Sequence, residues 1–207
     1  MKKIFDSFLN VSVPDPDDAR RRRVLNILLL GTLLATVVGF LAIMVGSAAS
    51  NELNLPETQL LLGGTLVTTF GILGIYQINK RWSGRWAALL FLLLLTLIFT
   101  FTDSPDQLSN GRSLFIFTLP IAISSLILIP EASFLFAFLG GGIVAGLALS
   151  IGQPVNLFAI IGFFMLALVS WLSARSLEHA LRELHSINRE LDQRVAQRTR
   201  DLAEALA

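Results

Sequence analysis

The chain has 207 residues, of which 54% are apolar and only 15% charged, and its mean hydropathy is +0.69. Soluble domains carry about 25% charged residues, so the composition argues against that class, and the scarcity of charge argues against a disordered chain. Cysteine is absent, which excludes a disulfide scaffold, thiolate catalysis and cysteine metal ligation, while the net charge of +1 conceals a very uneven distribution.

Residues 1–23 read as a cytoplasmic N-terminal segment. Ile4, Phe5, Phe8 and Leu9 recur at helical spacing beside Lys2, Lys3 and Asp6, the pattern of a short interfacial amphipathic helix. Asp15 is placed to cap a new helix with Pro16 as its first residue, and Asp17 and Asp18 lie at the positive end of the helix dipole. The run Arg20 to Arg23 then meets anionic headgroups, each arginine contributing roughly 1 kcal/mol of surface attraction. Because the run directly abuts an apolar stretch, membrane lipids and not nucleic acid are its expected partner.

Residues 24–174 contain six uncharged runs: Val24 to Ala48, Gln59 to Ile78, Trp86 to Thr102, Ser113 to Ile129, Ser133 to Gly152 and Leu157 to Ala174. Each approaches the ~20 residues that a helix needs to cross a ~30 Å hydrocarbon core. The first is longer than the core of a secretory signal peptide, so it reads as a retained span. The expected fold is an all-α membrane protein, a six-transmembrane-helix bundle.

Basic residues in short loops stay in the cytoplasm. The N-terminal segment, the loop with Lys80, Arg81 and Arg85, and the C-terminal segment together hold 15 of the 16 Lys and Arg residues; Arg112 alone lies opposite. The arrangement predicts a multi-pass protein of the bacterial inner membrane with both termini cytoplasmic. Trp82, Trp86 and Trp171 fall near span ends and read as headgroup anchors.

No span holds Lys, Arg, Asp, Glu or His. Axial His ligation of haem, a retinal Schiff base and a metal-ligand cluster therefore have no residues to build on, and no cofactor or metal is expected. What remains is packing chemistry. Gly142 and Gly146 form a GxxxG pattern, and Gly63, Gly64, Gly71 and Gly74 enrich the second span in small residues. Thr65, Thr68, Thr69, Thr96, Thr100, Ser124 and Ser125 are candidates for hydrogen bonds across helices or for the lining of a small intramembrane pocket, and Pro120 is expected to kink the fourth span. The three outer loops are too short to fold into a binding domain, so any small or hydrophobic ligand would act within the bundle, at its outer mouth or through the bilayer.

From Trp171 to Ala207 there is neither Gly nor Pro, and Glu178 with Arg182 and Glu190 with Arg194 form helix-supporting i,i+4 pairs. The sixth span should continue into residues 175–207 as one cytoplasmic coiled-coil helix. Leu177, Leu181, Leu184, Asn188, Leu191, Val195, Arg198, Leu202 and Ala205 follow a heptad seam, which predicts a homodimer with Asn188 at an a position fixing its register. Arg198 is a defect in that seam. Ile187 starts a competing stripe through Leu191 and Val195, and two near-degenerate seams are what a bistable signalling helix needs.

The segment Leu184-His-Ser-Ile-Asn-Arg-Glu-Leu-Asp-Gln-Arg-Val-Ala-Gln-Arg-Thr-Arg-Asp-Leu202 resembles the helix that joins the sensor of bacterial multi-span sensor histidine kinases to a PAS or kinase domain. Asn188, Glu190, Leu191, Arg194, Val195, Arg198, Thr199 and Leu202 carry the likeness, which covers about 20 residues and is shared in kind by diguanylate cyclases. It implies a transmembrane sensor and dimerisation module of a two-component system, acting as a receptor in signal transduction. His179 is followed by Ala-Leu-Arg and His185 by Ser-Ile-Asn, so neither fits the phosphoacceptor pattern and this segment is expected to have no enzyme activity. A close in mid-helix at Ala207 points to an excerpt from a longer kinase. The alternatives are a small inverted-repeat transporter, disfavoured by the absence of intramembrane ionisable residues, and the passive membrane anchor of a diguanylate cyclase.

Overall fold

The computed structural model describes residues 16–50, 55–101 and 103–205; the expected interfacial helix at residues 4–9 and the cap at Asp15 lie outside them. All regular structure among the described residues is helical: α1 Pro16–Ala49, α2 Pro56–Arg81, α3 Gly84–Thr100, α4 Pro105–Ser109, a 3-10 turn Arg112–Phe117, α5 Thr118–Ile127, α6 Ala132–Ser150 and α7 Leu157–Ala205. Helices α1, α2 and α4 begin at a proline, whose fixed φ suits the first turn and whose missing N–H would have had no partner there. After α6, Gly152 adopts φ +70°; its N–H donates to the Leu149 carbonyl and the Gln153 N–H to the Ala148 carbonyl, the glycine-dependent lock that ends a helix abruptly.

Helix α1 lies against α2, α2 against α3, and α5 joins α3 to the pair α6 and α7, while α4 rests on α6. Their shared core is built from Leu25, Leu29, Ile72, Phe91, Leu92, Phe117, Ile121, Phe136, Val144 and Phe163. Outside it the usual order is reversed. Phe70, Phe138 and Phe158 are 70%, 73% and 89% exposed, and exposed aliphatic side chains cover α1, α2 and the apolar half of α7 as well. A surface this apolar is stable only where lipid replaces water.

Helices α1, α2, α6 and α7 are long and apolar enough to cross a membrane. The other two apolar units are shorter. The 17 residues of α3 rise about 26 Å. The fourth run departs from the continuous helix expected over Ser113 to Ile129, because it starts as a 3-10 turn and becomes α-helical only at Thr118. Pro120 is the third residue of α5 and stands where the 3-10 turn passes into α-helix within this run. Helix α7 is unbroken for 49 residues, about 74 Å, and passes from an apolar half into a polar one.

Candidate functional site

The start of α1, the end of α2, the start of α3, the α5–α6 turn and the point where α7 turns polar meet at one basic end of the bundle. Arg21 joins three of them: its guanidinium donates to the Leu128 carbonyl in the α5–α6 turn and, at 2.8 Å, to the Glu178 carboxylate on α7. Glu178 also faces Arg182 at 3.7 Å. One helical position on, Arg22 donates to Asp18 at 2.9 Å and to the Asn79 carbonyl at 2.8 Å, tying α1 to the end of α2. Beneath it, the Asn79 amide donates to Asn26 Oδ1 at 2.7 Å with both side chains fully buried, and Asn79 Oδ1 has no hydrogen-bond partner. Arg175 sits over the Trp171 ring, 5.1 Å from its centroid, and Trp171 in turn meets Phe134 on α6. Trp82 and Trp86 are exposed at the same end.

The opposite end is closed by a smaller polar network. Asp103 accepts from the Ser113 hydroxyl at 2.6 Å and from the Ser104 N–H at 2.8 Å, while Gln153 donates to Asp106 at 2.6 Å and accepts from Asn110 at 2.8 Å. The Ser113 hydrogen bond, then that of Ser104, with a smaller pull from the Arg112 charge, holds the Asp103 carboxyl below its ordinary pKa. Leu108 and Ser109 of α4 are fully buried, so this connection plugs the bundle end. The sequence carried a sign of α4 in Ser104-Pro105-Asp106, the same kind of start as Asp15-Pro16-Asp17.

The hydroxyls picked out in the sequence bond locally, and of them Ser125 lines a small cleft with Arg21, Leu177 and Leu181. Thr65, Thr68, Thr69, Thr96, Thr100, Ser124 and Ser125 each donate to a carbonyl three or four residues earlier in their own helix, at 2.7–3.0 Å. In apolar surroundings such local bonding satisfies a hydroxyl without help from a neighbouring helix. Among the described residues, a hydroxyl that does bond between helices is that of Ser133, which donates to the Ala167 carbonyl at 3.0 Å. Gly142 and Gly146 face open space; close approach is instead made at Gly71, against Leu94, and at Gly84, against Arg22. Along α7, Leu177, Leu184, Asn188, Leu191 and Val195 are exposed and Leu181 is half-buried, a row that the other described residues leave largely uncovered, and the Leu202 side chain lies outside the described set.

No family model matches the chain, and comparison with curated proteins and with solved structures gives no match.

Proposed function

We propose that the chain is the sensor and dimerisation module of a bacterial sensor histidine kinase, a six-span domain of the inner membrane with both ends cytoplasmic. In this reading α7 is the output rod, pairing with its twin along Leu177, Leu181, Leu184, Asn188, Leu191 and Val195. The observation that carries it is the Arg21–Glu178 contact, which grips α7 where its apolar half gives way to its polar half. A displacement among α1, α5 and α6 is thereby transmitted to a helix that has no hinge to absorb it.

The test is a chimera in which a histidine kinase core is joined to α7 in helical register. A rod that works by rotation changes kinase output when one to three residues are inserted after Glu190, and recovers when about seven, two full helical turns, are inserted. Output indifferent to every insertion would reduce the domain to a tether. Saturable solute flux in reconstituted vesicles would favour a carrier.

A further inference from the structure

A cleft of about 580 Å³ opens at the basic end, between Arg21 of α1, Arg85 of α3, Glu131 in the α5–α6 turn, and Arg175, Glu178 and Arg182 of α7. Its walls carry four guanidinium groups and two carboxylates. Glu178 is already engaged by Arg21 and Arg182. Arg85 makes no ion pair or side-chain hydrogen bond among the described residues, and Arg175 lies over the Trp171 ring. A positive surplus of two thus surrounds an open space, and guanidinium groups are the side chains best shaped to grip phosphate oxygens in pairs.

The surfaces just below the cleft define what is attached to the anion. Leu135 lies one turn inward from Glu131 on α6; Leu172 and Leu168 lie one and two turns inward from Arg175 on α7. They are 61%, 60% and 45% exposed. A charged head above and apolar rows beneath, on the same helix faces, match a molecule with a phosphate head and acyl tails. We propose that this cleft is a binding site for one anionic phospholipid, its phosphate between Arg85, Arg175 and Arg182 and its acyl chains along Leu135, Leu168 and Leu172. The site stands whether α7 is an output rod or a plain anchor.

The test uses the full chain, delipidated in mild detergent and examined by native mass spectrometry with dioctanoyl phosphatidic acid, dioctanoyl phosphatidylglycerol, dioctanoyl phosphatidylcholine and inorganic phosphate as probes. The expected result is a saturable single adduct with the two anionic lipids, about tenfold tighter than with phosphatidylcholine, weakened about tenfold by Arg85→Gln with Arg175→Gln. Arg189→Gln with Arg198→Gln removes the same charge further along α7 and should leave binding within about twofold. Arg85→Gln alone breaks no ion pair or side-chain hydrogen bond among the described residues and should weaken binding about threefold, so it tests the site even if the double variant fails to fold. Undiminished binding in the Arg85 variants, or equal losses in the α7 control, would overturn the site. Inorganic phosphate binding as tightly as phosphatidic acid would overturn the lipid as its occupant.

Discussion

Arg21 and Glu178 lie 157 positions apart in the chain and 2.8 Å apart in space, with each side chain 28% exposed. Fully exposed ion pairs contribute about 0–1 kcal/mol, and bonds to charged groups screened from water about 1.5–3 kcal/mol, so a pair at this depth falls between. Glu178→Ala should therefore destabilise the purified protein by about 1 kcal/mol, and Arg21→Ala by more, because it also strips the Leu128 carbonyl of its donor. Melting of the two single variants and the double variant in one detergent gives the cycle, in which the combined loss should fall short of the sum by about 1 kcal/mol. Strict additivity would mean that the contact does not hold α1 to α7.

The buried Asn26–Asn79 pair leads to an asymmetry. Removing one partner of a buried polar pair leaves the other desolvated, whereas removing both removes the penalty. Asn79→Leu should cost about 1–3 kcal/mol, and adding Asn26→Leu should restore part of that loss, the more so because Asn79 Oδ1 is already unpartnered. A double variant less stable than Asn79→Leu alone would show that the pair is a net stabiliser of the α1–α2 joint.

The helices most legible in the sequence were those whose identity rests on transfer of apolar residues from water. Helices α1, α2, α6 and α7 fall close to the uncharged runs, and the unbroken passage through residues 171–180 follows from the absence of Gly and Pro there. Hydropathy was blind to hydrogen-bond pattern, so the 3-10 turn at Arg112–Phe117 was hidden inside a run that looked uniform. The Arg21–Glu178 contact was illegible because its partners meet only through tertiary packing, and each arginine alone reads as a headgroup contact. Glycine spacing within one helix does not say which face has a neighbour, and Gly142 and Gly146 face none among the described residues. Asn26 did carry a signal, an amide just inside an otherwise apolar run, and Asn79 stands just beyond the next run at the same end of the bundle.

Glycine substitutions should separate crowded positions from open ones. A Cβ on Gly84 would sit 2.7 Å from Arg22 Cγ, and Arg22 is held on both sides by Asp18 and the Asn79 carbonyl. Gly84→Ala should thus cost about 1–2 kcal/mol. At Gly71 the obstacle is a Leu94 methyl at 2.9 Å, the free end of a flexible side chain, so Gly71→Ala should be nearly neutral. Gly142→Ala meets nothing and should gain up to about 1 kcal/mol from helix propensity. Melting of the three variants in the same detergent orders them; a loss at Gly142→Ala would mean that this face meets a second copy.

The Asp103 network should respond to acid in a defined direction. Its carboxyl is held below the ordinary value by the Ser113 hydroxyl first and the Ser104 N–H second, so the ionised form is favoured in the folded loop. The stabilisation is fully present above the unfolded carboxylate pKa and is lost as pH falls through the lower, folded value. Ser113→Ala removes the largest cause, raises the Asp103 pKa toward its unfolded value and shrinks this stabilisation. Hydrogen exchange over residues 103–117, followed from pH 6 downward with the intrinsic rates divided out, should show an acid-dependent loosening that is smaller and complete at a higher pH in Ser113→Ala than in the parent chain. Loosening at the same pH in both proteins would show that the Ser113 hydroxyl does not set the ionisation of Asp103.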